Sequence, residues 1–514
     1  MSDVELTDVA DPGCFRLLDL PPEILAYIFT FLPNAALHTT RQSCHFLSAF
    51  ITSSVELQYQ MAVEIAQVTD NPASPIPISE RLARLRAREE AFGEVNATWK
   101  VSVSVPFPAS GLYELSGGMF WLGEVNRKAL RYIELPSQPA EEGAPPMEWG
   151  RIALPSKESV IVDFGLAIEE HDLIAMVTFT PSVDQYEGLV KLEFFTVSAP
   201  HVAHPEAQGP ITVENTRGAG KPNVTIEIVG EHLLFILVYA FSPGRARGLD
   251  SVYLFEWKTG KLKWKNTAES GTYYGGVFLS PEVIMLPNTI AARLELWSTA
   301  PEQKAPVLML HLPRLVPGRS IRTITARGEP NPQGTYRKPR RMPFHSSVED
   351  SIVLLDLTFP GPTLHLHPFL LFIHRRALLA LLAAHAPGDA CSYADWGPDI
   401  CRWLNAGGVV MDWITITSGQ RCVLLPRQSP SWFIMLDFNP AKVRAHEVLQ
   451  PEDDPFVDYG IWAEPVVSRL PCHFVRSMAE FERYHGASLD DHRIIATRRN
   501  ILGRVCEVDI HYFG

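Results

Sequence analysis

The sequence lacks several patterns that carry chemistry in other proteins. Its 7 cysteines form no C-x-x-C pair, which argues against a disulfide framework and favours reduced thiols in an intracellular compartment. It contains no G-x-S-x-G nucleophile elbow, no phosphate-binding G-x-x-x-x-G-K-[ST] loop and no strand-led G-x-G-x-x-G. None of the enzyme classes that depend on these motifs is therefore indicated.

Positive charge and long apolar runs are also scarce. The chain has 45 Lys and Arg against 58 Asp and Glu, a net charge of -13, whereas a nucleic-acid surface needs positive potential. The most apolar stretch, 366–384, is interrupted by a proline, two histidines and two arginines. Because charges are costly in lipid, we interpret this stretch as a core strand followed by another buried element.

The first 15 residues are acidic and contain neither the basic start nor the apolar run of a secretory signal. We expect them to form a disordered tail. Together with the composition, this predicts an intracellular protein, cytoplasmic or nuclear, with no nucleic acid and no membrane among its partners. The length of 514 residues predicts more than one domain.

Helical patterning begins after the acidic tail. Two prolines suit the first turn of a helix, and apolar residues then recur at helical spacing until Pro33, namely Ile24, Leu25, Ile28 and Leu32. A second helical pattern places Cys44, Leu47 and Ile51 on one stripe. Helices this short cannot bury both apolar faces against each other, which implies a partner for the remaining surface.

Two further helical segments follow. The first has an apolar stripe of Leu57, Met61, Ile65 and Val68. Ser79 is a plausible N-cap for the second, whose apolar face comprises Leu82, Leu85, Phe92 and Trp99. Its charged residues are expected in solvent, namely Arg81, Arg84, Arg86, Arg88, Glu89 and Glu90. We interpret this segment as a packed connecting helix.

Beyond about residue 100, short β-branched and aromatic runs alternate with turn residues. A loose repeat places polar residues before an apolar strand at 172–174, 231–234, 281–284 and 491–495, and each is followed by a strand of alternating pattern. The spacing of the first three is that of a propeller blade, so the region is long enough for about six to eight blades. An irregular pair of β-sandwiches remains the alternative.

The stretch LPPEILAYIFTFLP…RQSCHFLSAF resembles the F-box domain, and the helices after it look like the linker of a group of fungal F-box proteins. The resemblance implies that the helices dock onto a Skp-type adaptor on a cullin scaffold, while the distal domain holds a protein substrate. The implied adaptor-binding residues are Leu20, Pro21, Ile24, Leu25, Ile28, Leu32, Leu37 and Cys44. The fold class is then α+β multidomain, an all-α F-box and linker followed by an all-β, propeller-like domain.

On this reading the chain divides at residues 16–54 (F-box), 55–100 (linker) and 101–514 (substrate domain), and it is a non-catalytic receptor subunit of a ubiquitin ligase. A protein-interaction scaffold without ligase attachment is the alternative. A propeller-type hydrolase is a minority interpretation, which a deep carboxylate-lined central pocket would favour.

Two clusters of side chains are candidate binding sites. The histidines at 365, 367 and 374 suggest a metal only if further ligands converge, so we assign no metal and no cofactor. A basic Pro/Gly-rich segment carries Arg337, Lys338, Arg340 and Arg341. Its hypothetical role is to bind an acidic or phosphorylated segment of a substrate, although a solvated surface insertion is the more ordinary reading.

Overall fold

The computed structural model describes residues 17–139, 147–154, 156–182, 188–200, 202–216, 222–239, 249–333, 342–361, 365–410, 415–427, 432–445, 448–449, 460–479 and 483–514. Its helical part consists of a 3-10 turn at Leu17–Asp19, then α1 (Pro22–Phe29), α2 (Asn34–Ser43), α3 (His45–Ser53), α4 (Val55–Ala66) and, after strand β1 (Val68–Asp70), α5 (Ile78–Glu94).

Seven four-stranded units, the blades, follow the helices. Each blade is an antiparallel meander. Blade 1 comprises β3 (Ala109–Ser116), β4 (Met119–Glu124), β5 (Ala129–Glu134) and β6 (Gly150–Ala153). Blade 2 comprises β7 (Val160–Ala167), β8 (Leu173–Pro181), β9 (Gly188–Thr196) and β10 (Ile211–Thr216). Blade 3 comprises β11 (Asn223–Val229), β12 (His232–Val238), β13 (Asp250–Glu256) and β14 (Lys261–Ala268). A short helix, α6 (Ile168–His171), joins β7 to β8.

Blades 4 and 5 comprise β15 (Val277–Ser280), β16 (Val283–Asn288), β17 (Arg293–Ser298), β18 (Leu308–His311); and β19 (Thr323–Arg327), β21 (Ile352–Pro360), β22 (Leu366–His374), β24 (Cys401–Asn405). The blade 5 connections contain β20 (Phe344–Ser346), α7 (Arg375–Ala384), β23 (Asp389–Cys391) and α8 (Tyr393–Trp396). Strand β23 extends blade 4 by pairing in parallel with β18.

Blade 6 comprises β25 (Thr417–Ser418), β26 (Arg421–Leu424), β27 (Ile434–Asp437) and β29 (Cys472–Arg476). Blade 7 comprises β30 (Gly486–Leu489), β31 (Arg493–Arg499), β32 (Val505–Tyr512) and β2 (Trp99–Ser104). Helix α9 (Pro440–Ala445) and strand β28 (Val448–Leu449) lie between β27 and β29. The outer strand of blade 7 therefore comes from the start of the β region, and its antiparallel pairing with β32 closes the ring.

The predicted repeat is confirmed, and it has a structural meaning. The four polar-then-apolar positions begin the second strands of their blades, β8, β12, β16 and β31, and the alternating segments after them are the third strands. Polar residues therefore mark the connection from the first strand to the second. The number of blades is seven, and the β-sandwich alternative is wrong because successive blades form one closed series of sheets.

The apolar stretch 366–384 forms strand β22, the expected core strand, and helix α7, which is only partly buried, with Arg375 and Leu378 as its buried residues. Strand β22 is the third strand of blade 5 and buries Phe369–Ile373 completely. Among the helices of the described ranges, none combines the length and apolar character needed to cross a membrane.

The long connecting helix α5 packs against the propeller more closely than its sequence suggested. Phe92 stacks on Phe513, with ring centroids 4.4 Å apart. Arg88, expected in solvent, is 1% exposed and lies over the Phe344 ring. Arg81, expected in solvent too, is buried and paired with Asp70 at 3.0 Å. The prediction that these two arginines are solvated is therefore wrong.

Two other details of the helical predictions are also corrected. Pro77, not Ser79, precedes the first residue of α5 as its N-cap. In the α4 stripe, Leu57 and Met61 are buried as expected, but Ile65 is exposed and Val68 belongs to strand β1. Strand β1 pairs with β20 of blade 5, so the chain leaves the helix to join a small sheet.

Ionic contacts complete this junction. Glu89 of α5 pairs with Arg421 at 2.6 Å, and Arg421 also pairs with Asp437 at 3.1 Å. Arg88 pairs with the other oxygen of Glu89 at 3.0 Å. A buried, paired network of this kind holds the helix in one orientation, since breaking a pair would leave buried charges with fewer partners.

The propeller has two faces that differ in their connections. In every blade, one face carries the connections from first to second and from third to fourth strand. Helix α5 contacts this face through Arg421, which begins a second strand, and through the turn at Asp491. We call it the linker face. The opposite face, the distal face, carries the connections from second to third strand and from each blade to the next.

Candidate functional site

The helices around α1 form a small core of their own. The buried side chains in it come from four helices and comprise Leu25, Phe29, Leu37, Leu47, Ile51, Leu57 and Met61. Asn34 supports this core from its edge by donating to the backbone oxygen of Met61 at 3.1 Å. The side chains of this core are covered by the four helices themselves. The opposite side of α1 is therefore left uncovered.

That uncovered side is a row of large apolar side chains. Ile24 is 47% exposed and Phe31 is 69% exposed, and Tyr27 and Ile28 lie between them. The Tyr27 and Phe31 rings contact edge to face with centroids 5.1 Å apart. Leu17, Leu18 and Phe46 are exposed as well. We call these seven residues the apolar ridge, and a cluster of this kind typically marks an interaction site.

The structure divides the sequence-predicted docking residues into three groups. Pro21, Ile24, Ile28 and Cys44 are exposed, and Leu20 and Leu32 are half-buried. Leu25 is 1% exposed and Leu37 is 0% exposed. These two side chains face the bundle interior, so the prediction that they contact a partner is corrected to a role in packing.

Five residues of the ridge were missed by sequence reasoning: Leu17, Leu18, Tyr27, Phe31 and Phe46. A signal for two of them was present, because positions 24, 27, 28 and 31 share one side of a helix. The predicted adaptor-binding residues were taken from the F-box motif instead, and that motif includes residues that build the core of the helical bundle. For Leu17, Leu18 and Phe46, exposure depends on how the helices pack, which no local pattern gives.

A second candidate site lies in the central channel near the linker face. Its cavity, about 450 Å³ including space open to solvent, is lined by the first strands of blades 1 to 3, the end of β19 and the segment after it. Glu114, Glu227 and Glu329 contribute carboxylates. Arg327 pairs with Glu227, and Asn331 donates to the same carboxylate at 3.0 Å.

Burial dominates the electrostatics of this cavity. It raises the pKa of Glu114 to about 8 and that of Glu329 to about 7, although Arg327 opposes both shifts. Burial also raises the pKa of Asp163, on the neighbouring strand β7, to about 6. Arg327 therefore does not offset the carboxylates, and two of them, Glu114 and Glu329, hold protons near neutral pH.

Arg337, Lys338, Arg340 and Arg341 lie outside the described residues. Arg327, which precedes that segment in the sequence, ends strand β19 and is held in the channel. Within the described ranges, no three His, Cys, Asp or Glu side chains stand together in a way that would hold a metal ion.

Comparison with known proteins identifies the helical part. Residues 17–58 match the F-box domain family, so an F-box domain precedes the seven-bladed propeller. No curated protein matches the chain.

Solved structures that resemble the chain are propellers. They include the C-terminal WD40 domain of Sif2, with 8% identity, a TM-score of 0.37 and coverage of 80% of this chain and 97% of that one. The β-propeller domain of Nup133 from Vanderwaltozyma polyspora gives 8% identity, a TM-score of 0.33 and coverage of 80% and 98%. The propeller assignment itself depends on the blade topology described above.

Proposed function

We propose that this protein is the substrate-recognition subunit of an SCF-type cullin ubiquitin ligase. Its F-box domain binds a Skp-type adaptor, and its propeller binds a protein client. The observation that carries the proposal is the apolar ridge, which the chain leaves uncovered within the segment that matches the F-box family. F-box domains and WD40-type propellers are typically non-catalytic, and this chain fits that role.

The ridge has the properties of a helix-docking surface. Ile24, Ile28 and Phe31 recur at the spacing with which an amphipathic helix fills an apolar groove. Burying each such side chain contributes about 1.5–3 kcal/mol, so several together contribute on the scale of the cost of association, which is roughly 4–15 kcal/mol. An adaptor groove lined by apolar side chains is therefore the expected partner surface.

Proximity is then the whole contribution of the chain to ubiquitin transfer. The buried ion pairs of Glu89 and the β1–β20 pairing hold the linker against the propeller. We propose domain limits at 16–54 for the F-box, 55–100 for the linker and 101–514 for the substrate domain. A client on the propeller is held at a defined distance from the adaptor, which raises its local concentration near the ligase chemistry.

The test is binding of the purified full-length chain to a purified Skp-type adaptor, measured by light scattering. Ile24→Asp is expected to weaken the complex about 100-fold or more, because a charge would be buried in the interface. Ile290→Asp, at an equally exposed isoleucine on a propeller connection, is the matched control and should bind like wild type. Absence of any wild-type complex, or equal binding by Ile24→Asp, contradicts the proposal.

The alternatives predict other outcomes. A scaffold without ligase attachment would bring down clients but neither adaptor nor cullin in an affinity purification. The hydrolase interpretation is favoured by one observation, the carboxylate-lined cavity with Glu114 and Glu227 in it. It predicts turnover of chromogenic glycosides that Glu114→Gln abolishes, and an inactive wild-type chain across such a panel counts against it.

A further inference from the structure

The two faces of the propeller differ in charge. Among the described residues, the connections of the distal face contain nine Lys and Arg against two Asp and Glu, a balance of +7. Those of the linker face, counted in the same way, contain seven Lys and Arg against seventeen Asp and Glu, a balance of -10. An acidic protein therefore presents a basic surface on the side away from its F-box.

The distal face also carries exposed aliphatic side chains at its turns. The turn between β31 and β32 projects Ile501 and Leu502, and Ile501 is 102% exposed. Met478, in the connection from blade 6 to blade 7, is 94% exposed. Val125, Leu249, Ile290 and Leu366 occupy the corresponding turns of blades 1, 3, 4 and 5. Such a set of apolar tips within a polar surface indicates an interaction site.

Exposed cations lie among these tips. Lys157, Arg322 and Arg427 are exposed in three connections of the distal face. The channel beneath is different, because its arginine is already engaged by Glu227 and its carboxylates outnumber it. A negatively charged ligand is therefore favoured on the rim of the distal face and disfavoured deep in the channel.

We propose that the distal face binds a client through a segment rich in Asp and Glu and in aliphatic residues. This inference rests on the proposed function and specifies the client. The cations attract and orient the acidic side chains, and the aliphatic residues pack on the projecting tips, Ile501 and Leu502 above all. The carboxylates of Asp and Glu supply the negative charge, so binding does not depend on phosphorylation.

A protein segment fits this face better than an anionic membrane. Membrane-interface anchors are enriched in Trp and Tyr. The large exposed apolar side chains on the distal face are Val, Leu, Ile and Met throughout the described residues. Membrane binding is nevertheless a distinct outcome of the test.

The experiment is a selection of random 16-residue peptides, displayed on phage, on the immobilised full-length chain. Selected peptides are expected to be enriched in Asp, Glu and aliphatic residues, and their affinity is then measured by fluorescence anisotropy. The double variant Ile501→Asp/Leu502→Asp should lower it at least about tenfold, and Arg322→Glu/Arg427→Glu several-fold. The matched control is Val202→Asp, at an exposed valine of the linker face, which should bind like wild type.

Three results would overturn the inference: selected peptides without acidic and aliphatic enrichment, selected acidic peptides that bind the Ile501→Asp/Leu502→Asp variant like wild type, or binding only to phosphorylated forms of the peptides. Binding of phosphatidylserine-containing vesicles through the same residues, with no binding of any peptide, would also overturn the inference. Adaptor binding is measured in parallel on the same preparations. If it fails while peptides bind as described, the ligase proposal fails and the distal-face site stands.

Discussion

The helical region and the propeller use apolar residues in opposite ways. In the propeller, large side chains such as Phe120 and Trp121 are completely buried between blades. In the F-box, helix α1 and the turn after it place Leu25 and Phe29 inside but leave Tyr27 and Phe31 in solvent. A propeller blade can bury both of its faces against its neighbours, whereas a short helix in a small bundle has one face to spare. The apolar surface that the F-box leaves uncovered therefore indicates where another molecule binds.

The most direct test of this difference between the two regions is to replace one phenylalanine by alanine in each of them. Phe120→Ala removes a fully buried ring and should lower the free energy of unfolding by about 3–5 kcal/mol. Phe31→Ala removes an exposed ring and should change it by less than about 0.5 kcal/mol, while weakening adaptor binding. Denaturant unfolding of both variants gives the measurement. Equal losses of stability would mean that α1 is covered by the chain itself.

The junction between the two regions is the next target. Glu89→Gln removes the charge that Arg421 and Arg88 share, and we expect a loss of about 2–4 kcal/mol. Glu90→Gln, one residue away on the same helix and exposed, is the control and should be neutral. Thermal unfolding of the two variants side by side decides whether the linker is held by this network.

The same network sets an acid limit on stability. Although burial alone would raise it, the pKa of Glu89 is lowered to about 2 by Arg421, Arg88 and Lys442. A carboxyl with a lowered folded-state pKa stabilises above its unfolded value of about 4.5 and loses that contribution as the pH falls toward 2. Glu89→Gln should therefore flatten the pH profile of stability in that range.

The smallest effect on stability is expected in the central channel. There, unlike at Glu89, stability should decrease as the pH rises. The raised pKa of Glu114, about 8, means that the folded protein holds a proton that the unfolded chain releases above about 4.5. Stability should fall as the pH rises from 5 to 8, by about 1–3 kcal/mol. Glu114→Gln should lack this decline, with Glu90→Gln again as control. Parallel profiles for wild type and Glu114→Gln would contradict the assignment.

Sequence reasoning succeeded where the pattern was local. The helical spacing around Ile24 and the family motif located the F-box, and the polar pairs before apolar runs located the second strands of four blades. It failed where contacts are long-range. Arg88 looks like a solvated helix residue until Glu89, Arg421 and Phe344 surround it. The blade count depended in the same way on the pairing of β2 with β32, some 400 residues apart in sequence.

Closure of the ring by its own two ends has a consequence for synthesis. The F-box helices have a core of their own and are made before the propeller, whereas blade 7 lacks its third strand until residues 505–512 have been made. A chain terminated before residue 505 would thus retain the apolar ridge beside an open propeller. Under the proposed function, such a fragment would occupy adaptor without delivering a client, so loss of β32 is expected to be more harmful to the cell than absence of the protein.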